Sequence, residues 1–556
     1  MPIYAPQILR NRNEQADFAL SDLEIERLRR FGEERCYAEH DYVVRAGEVG
    51  FGIAVLLSGW VTITRREGLG YDHAVSLYGR RHFMGEVGQL SGGVSFFDAR
   101  AGTTVVALVI PPDRLRALVI AEAELGERIM RALILRRLGY IEANVGGPLL
   151  IDSPGASRLL SLEVFLTRNG VPFRVLDPAT QPDAHALLDA MHATSADMPV
   201  VVCPDGTARL NPTLRELAIA VGLRPSLDPD KCYDVAVVGA GPAGLATAVY
   251  ASSEGLCVAV LEAQTIGGQA GASSRIENYL GFPTGITGQA LSGRAFIQAK
   301  KFGADVVIPG AVERLSCSDP ECYTLKLTDG TVLSARTVVI ATGAEYRKLD
   351  VEGLSEGERD GVHFWVSPVE ARLCHGQEVV LVGGGNSAGQ AAVYLAQRVK
   401  KVRMLVRSAG IEESMSAYLV ERIRAQANIE LCANSEVDRL EFDAAGMLRE
   451  IGWRHMKTGA LSAQAIRHLF LFIGASPCTR WLSDCTVAID TAGFVLTGAA
   501  ARPTEMNPPS HMTSKDGLFA IGDVRSGSAK RVAAAVGDGA AVVAQIHAYL
   551  SQRAHA

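Results

Sequence analysis

The ten cysteines of this 556-residue chain include no two separated by only two residues. A compact zinc site or a C-x-x-C redox motif needs that spacing, so neither is expected and no metal is assigned. The nearest pair, Cys317 and Cys322, flanks Ser318-Asp319-Pro320-Glu321, which reads as a hairpin turn between short strands. A bridge across that turn is conceivable; two unpaired thiols are the preferred reading. A dominant charge is also missing. Lys and Arg number 55 and Asp and Glu 61, with the signs well mixed, so neither nucleic acid nor an acidic membrane is expected as a partner. The apolar segments are interrupted by Gly, Pro or charge before membrane-spanning length, and Met1 to Glu14 carry charges without an apolar stretch, so a cytoplasmic location is expected.

What is present is too long for a single core, and three or four units are expected. From about Leu20 to Arg137, Val43-Val44, Ala54 to Leu57 and Val61 to Thr64 read as strands punctuated by Gly47, Gly50, Gly59 and Gly68. Pro111-Pro112-Asp113 then opens a helix. Arg45-Ala46-Gly47-Glu48, Leu57-Ser58-Gly59-Trp60-Val61 and Met84-Gly85-Glu86-Val87-Gly88-Gln89-Leu90 resemble a cyclic-nucleotide-binding domain. The resemblance implies a β-roll in which Glu86 takes the ribose 2′-hydroxyl and a following Arg takes the cyclic phosphate. Val94-Ser95-Phe96 stands at the Arg position, and Arg100 reaches only if the loop rearranges, so a structural or dimerising role is preferred over nucleotide binding.

Between Gly147 and Leu223, Leu149 to Asp152 reads as a strand, Ala156 to Asn169 as a helix, Pro172 to Leu176 and Met198 to Val202 as strands, and Leu214 to Gly222 as a helix. This resembles a thioredoxin or glutaredoxin fold, with Met198-Pro199 at the cis-proline position. Ser153-Pro154-Gly155-Ala156 stands where that family carries its dithiol, so a redox-silent docking or spacer role is expected.

After the polar linker Asp228 to Lys231, the strand Tyr233 to Val238 runs into Gly239-Ala240-Gly241-Pro242-Ala243-Gly244. A helix follows, then the strand Val258 to Leu261 and Glu262. In that context the glycines permit a tight turn, pyrophosphate approach and close helix packing, and Glu262 takes ribose hydroxyls. Glu378 to Val382 leads into a second copy, Gly383-Gly384-Gly385-Asn386-Ser387-Ala388, followed by a helix and the strand Val402 to Val406. Two dinucleotide folds imply two dinucleotides. Arg403 and Arg407 stand where an NAD site carries an acid, which favours NADPH and leaves NADH as the alternative.

Gly267-Gly268-Gln269, Ile276-Glu277-Asn278-Tyr279, Gly288, Val338 to Gly343, Phe472 to Pro477 and Gly517 to Asp523 occur in the order found in thioredoxin reductases, which residues 232–556 resemble. The resemblance implies FAD held by Gly239, Gly241, Gly244, Glu262, Gly268, Gln269, Asn278, Thr342, Gly343, Gly522 and Asp523. It places the nicotinamide cofactor on Gly383, Gly385, Asn386, Ser387, Ala388 and Arg407, and it implies a homodimer. The expected fold class is multidomain. An N-terminal β-roll with helices covers 1–145 and an α/β thioredoxin-like domain 146–228. Two Rossmann-like domains follow, one for FAD over 229–350 and 481–556 and one for NAD(P) over 351–480.

The pattern breaks after Gly361-Val362-His363-Phe364, where Trp365-Val366-Ser367-Pro368 replaces the family's dithiol. Cys374 lies nearby without a sequence partner. Arg531 stands where relatives carry a Gln beside the flavin; it either stabilises reduced flavin or pairs with a phosphate or carboxylate. His363 and His375 are either a proton relay or ordinary solvent-facing or paired histidines. Trp365 and Arg531 are the candidate residues at the reacting end. The expected function is FAD-dependent NAD(P)H oxidoreduction toward a small molecule or redox protein. The alternatives are thioredoxin-disulfide reduction by another cysteine route and a flavin-based sensor.

Overall fold

The computed structural model describes residues 15–554 apart from 68–70, 92, 226, 274, 320–321, 348, 350, 352–353, 355–360, 365, 367 and 444–445. Its first unit is a β-roll of two antiparallel sheets. One orders Glu33–Tyr37, Val105–Ile110, Ile53–Ser58 and Phe83–Met84; the other orders Tyr42–Val44, Asp98–Ala101, Trp60–Glu67 and Tyr71–Gly79. Gly59, at φ +74°, turns the chain from Ser58 into Trp60, where a Cβ would strike the Thr104 carbonyl. The helix Asp22–Leu28 begins in a capping box of Ser21 and Glu24, and the helices Pro112–Ala121 and Ala123–Glu142 close the unit.

A four-stranded sheet follows, in the order Arg174–Leu176, Leu149–Ile151, Val200–Val202, Ala208–Leu210. The first pair is parallel and the others antiparallel. Helices Ser157–Arg168 and Leu214–Ala220 match the sequence reading. The helix Pro182–Ala190 and the strand Ala208–Leu210 were not apparent in it, being short and weakly patterned. The Met198–Pro199 peptide is cis.

This unit is a wedge rather than a loose spacer. A single apolar cluster runs from Val94, Phe96 and Phe97 of the roll, through Leu162, Phe165, Leu166 and Val221, to Val237, Ala240 and Ile266 of the next sheet. Phe165 and Leu166 are almost completely buried, worth about 1.5–3 kcal/mol each by area. Contact is close on the roll side, where a Cβ on Gly222 would come within 2.8 Å of the Val94 nitrogen.

Two larger sheets and a three-stranded antiparallel one, Ser435–Phe442, Leu448–His455 and Leu461–Gln464, carry the remaining chain. The first orders Asp305–Val307, Val258–Leu261, Cys232–Val238, Val332–Ile340, Tyr323–Leu327 and Val312–Ser316, with Leu518–Ala520 paired to the far half of Val332–Ile340. The second is parallel throughout: Val362–His363, Leu469–Leu471, Glu378–Val382, Lys401–Leu405, Ile429–Cys432. A two-stranded ribbon, Ala344–Tyr346 with Ala475–Pro477, connects them.

The final helix, Val532–Ala554, corrects one expectation. By length and composition Val532–Arg553 could cross a membrane, since Gly537-Asp538-Gly539 does not interrupt the helix. In this fold Val542, Val543, Ile546 and Leu550 are buried in the shared apolar core. Gly539 brings the helix onto Pro242–Ser253, where a Cβ would sit 2.4 Å from the Ala243 carbonyl.

Candidate active site

The strand Cys232–Val238 delivers Gly239 at φ +109°, a conformation that L side chains rarely adopt. A Cβ there would lie 2.3 Å from the Ala341 carbonyl, and one on Gly244 would lie 1.9 Å from the Gly239 carbonyl. One on Gly241 would meet nothing within 4 Å. Two of the glycines therefore serve turn and packing, while Gly241 faces open space at the start of the helix Pro242–Ser253. Free backbone N–H groups and the positive end of the helix dipole make that place an anion cradle. Glu262 follows the neighbouring strand. One carboxylate oxygen accepts from the Ala240 N–H at 2.8 Å and the other from Gln264 and Thr265 at 2.9 and 3.3 Å. Burial raises its pKa, opposed by these three N–H groups and by the charge of Arg168.

The Gly267–Gln269 turn lines the same cradle. Gly267 donates to the Ala240 carbonyl at 2.7 Å, and Gly268 sits beside Gly241. The Gln269 amide donates to the Ala344 carbonyl, tying the turn to the ribbon between the two sheets. Thr342 and Gly343 join the ribbon: the Thr342 hydroxyl donates to the Cys478 carbonyl at 2.9 Å and the Gly343 carbonyl accepts from the Cys478 N–H. Gly522 packs against Ala243, and its N–H donates to Asp538 at 3.0 Å. Burial raises the pKa of Asp523 beside it. Asn278 is exposed on a bend; its neighbour Glu277 pairs with Arg422 on the helix Ala417–Ala425.

The second cradle repeats the first. A Cβ on Gly383, at φ +139°, would lie 2.4 Å from the Phe472 carbonyl, and Gly385 faces open space at the start of the helix Asn386–Ala396. Ala388 is buried where the first copy has Gly244. The Asn386 side chain accepts from the Ser416 N–H at 2.7 Å, and Ser387 is exposed on the first turn. The two arginines divide. Arg403 is tucked between Glu378 and Glu430, so the expectation that it faces a cofactor phosphate is corrected. Arg407 is exposed just past the strand and makes no ion pair among the described residues.

The family description "Pyridine nucleotide-disulphide oxidoreductase" matches residues 233–539. The chain belongs to that family. It is similar to the thioredoxin reductase of Bacillus subtilis, 30% identical over 328 residues, which make up 59% of this chain and 97% of the relative. That of Ureaplasma parvum is 31% identical over 317 residues, 57% of this chain and 96% of the relative. Among solved structures, Lactococcus lactis thioredoxin reductase in its FR conformation superposes with TM-score 0.52 at 26% identity. T. acidophilum thioredoxin reductase gives 0.52 at 28%, and each covers 58% of this chain and 99% of the other. Members of the family to which this oxidoreductase belongs use FAD and NADPH, and the two open glycine cradles, one beside the carboxylate Glu262 and one followed by the exposed Arg407, fit those groups. A second description, "Cyclic nucleotide-binding domain", matches residues 34–122.

In that N-terminal domain Glu86 is ion-paired with Arg137 of the closing helix at 3.1 Å. Val94, Ser95 and Phe96 are buried. Arg100 donates to the His40 carbonyl at 3.0 Å and stands over Tyr42.

Around the position of the relatives' dithiol, Trp365 and Ser367 lie outside the described residues. His363 is a paired histidine: its Nε2 lies 3.1 Å from His468 Nδ1, the ring stacks on Phe470, and burial pushes its pKa down to about 3. His375 is exposed. Cys374 is fully buried, its thiol donates to the Glu370 carbonyl at 3.2 Å, and burial pushes it up to about 11.

Cys317 and Cys322 are neither a pair nor both unpaired: Cys317 is bridged to Cys485, 168 residues away, and Cys322 lies 3.4 Å, sulfur to sulfur, from Cys232. Sequence spacing held no signal for either partnership. Cys232 begins the strand whose other end leads to Gly239, about 23 Å away at 3.3 Å per residue. Arg531 precedes the last helix, is exposed and has no carboxylate partner among the described residues, so the carboxylate half of its alternative reading finds no support.

Proposed function

We propose that this chain is an NADPH-dependent flavoprotein that delivers electrons to an acceptor without a dithiol between flavin and acceptor. When bound, FAD supplies the chemistry that accepts hydride and returns electrons singly or in pairs. The chain's own residues hold and orient the cofactors. Gly239, Gly241, Gly244 and Gly268 shape the pyrophosphate cradle, Glu262 takes ribose hydroxyls, and Gln269, Thr342, Gly343 and Asp523 line the approach from the ribbon. Gly383, Gly385, Asn386, Ser387 and Ala388 form the nicotinamide-side cradle, with Arg407 for the 2′-phosphate. Arg531 stands as a cation at the start of the last helix, on the flavin side. The N-terminal domain and a thioredoxin-like unit without a dithiol, its Cys203 buried, flank this core as access or regulatory elements, and the chain pairs as a homodimer.

The observation that carries this reading is the placement of thiols. Trp365-Val366-Ser367-Pro368 contains none, Cys374 is buried with its thiol pushed up to about 11, Cys232 with Cys322 lies at the opposite end of the first sheet, and Cys478, whose backbone joins Thr342 and Gly343, forms no disulfide. A second reading, disulfide reduction through Cys232 and Cys322, is favoured by their contact and by the named activity of the relatives. Anaerobic stopped-flow mixing with NADPH, then with oxidised thioredoxin, separates the two. Rapid flavin bleaching with no reoxidation by thioredoxin is expected; prompt reoxidation that disappears in Cys232→Ser would establish the second reading.

A further inference from the structure

The helix Ser157–Arg168 of the middle unit ends against the loop that joins Glu262 to the Gly267–Gln269 turn. Asn169, buried just past that end, makes three hydrogen bonds. Its amide donates to the Phe165 carbonyl of its own helix at 2.9 Å and to the Gln264 carbonyl at 3.3 Å. Its oxygen accepts from the Ile266 N–H at 3.3 Å. The Arg168 guanidinium donates to the Gly268 carbonyl at 3.1 Å, and Gln289 of the next helix donates to the Thr167 carbonyl at 2.5 Å. Residues 167–169 thus clamp the outer side of a loop whose inner side runs from the ribose acceptor Glu262 to the wall beside Gly241.

The electrostatics point the same way. A helix presents a partial negative charge at its C-terminus, which is unfavourable beside a cofactor bearing a pyrophosphate. Here that end carries a permanent cation in its last turn. The charge of Arg168 acts on the Glu262 carboxylate, favouring its ionised, hydrogen-bond-accepting form against the burial that opposes it. The guanidinium thus bonds the Gly268 carbonyl of the wall and acts by its charge on the carboxylate expected to take the ribose.

We propose that Arg168, supplied by the middle unit, strengthens binding of the ADP half of FAD through its charge from behind the Gln264–Gly268 wall, and that Asn169 is the positioning residue that holds that wall. The middle unit is then part of the flavin site and not only a spacer. This rests on the flavin reading above, so the test includes wild type as its own control.

The protein is stripped of flavin and titrated with FAD, followed by quenching of flavin fluorescence, and separately with ADP, followed calorimetrically. Losing a hydrogen-bonding charge should weaken both ligands in Arg168→Gln by about 10–100-fold, with Arg168→Lys recovering part of the loss. Asn169→Ala should weaken FAD by about 3–10-fold through one or two lost hydrogen bonds. The thermal midpoint of the apoprotein should fall in Arg168→Gln by no more than about 2–4 °C, the cost of one lost hydrogen bond to the Gly268 carbonyl, and a loss of FAD and ADP affinity that tracked a larger fall would mark a purely structural role. Arg168→Met, keeping the stem without the charge, replaces the glutamine variant should that one not fold. FAD and ADP affinities within twofold of wild type in the charge-removed variant overturn the proposal while leaving the flavin reading intact. Failure of wild type to take up FAD overturns both.

Discussion

Gly244→Ala and Gly241→Ala differ by three positions in one motif and should fail in different ways. A methyl on Gly244 would be built 1.9 Å from the Gly239 carbonyl oxygen and 3.2 Å from a Val237 methyl. Both neighbours lie in the turn or strand that forms the cradle, and the oxygen is backbone, so no rotamer relieves the clash. Reaching the 3.0 Å limit of ordinary contacts requires the helix to withdraw by about 1 Å. Overpacking of that kind costs about 3 kcal/mol. It should lower the apoprotein midpoint by roughly 6–12 °C for a domain of this size. Gly241 is at φ −71°, which alanine accepts, and its new methyl meets nothing within 4 Å. The apoprotein midpoint should move by no more than about 2 °C, because lost N-cap preference and reduced chain entropy nearly offset. The methyl would instead occupy the approach of the pyrophosphate, and FAD affinity should fall by about 100-fold or more, the loss of several N–H contacts at once. Circular dichroism melting of apoproteins and fluorescence titration with FAD measure the two effects. Wild-type FAD affinity in Gly241→Ala, or an unchanged midpoint in Gly244→Ala, would refute the division of roles.

Arg407→Ala should raise KM for NADPH by about 10–100-fold and leave NADH unchanged, because only the 2′-phosphate contact is removed. Arg403→Ala should lower stability without altering that preference, since its partners are Glu378 and Glu430. His363 is neutral when folded, with a pKa pushed down to about 3, while the unfolded chain binds a proton near pH 6.5. Its contribution is therefore intact above pH 6.5 and lost as pH falls, by up to about 1.4 kcal/mol per pH unit, and His363→Gln should flatten the slope in melts from pH 7 to pH 5. Cys485→Ser opens a 168-residue loop and should cost about 2–5 kcal/mol, and peptide mapping without reductant should recover Cys317 joined to Cys485 with Cys232 and Cys322 alkylatable.

The dinucleotide cradles were legible because their information is local. A strand, three small residues at fixed offsets, a helix start and an acid one strand later all fall within about thirty residues, and each answers to a backbone demand that the residue type itself displays. The apolar alternation of the β-roll and the helices Ser157–Arg168 and Leu214–Ala220 were legible for the same reason. Arg403 and Arg407 show where that reading stops. One lies within the strand Lys401–Leu405 and the other just past it, yet pairing with Glu378 and Glu430 removes Arg403 and exposure leaves Arg407 available, and Glu430 arrives from a strand that the motif does not contain.

Tertiary structure alone decided the pairings across long stretches of chain. Cys317 meets Cys485, His363 meets His468, and Arg168 and Asn169 meet the Gln264–Gly268 loop because particular sheet edges and helix ends were packed together. No periodicity in the sequence records which surfaces meet. The residues alone determined that two dinucleotides are held and that the 365–368 segment carries no thiol. The fold determined which charges and thiols stand near those dinucleotides, since distance and burial, unlike residue type, exist only once the chain has closed on itself.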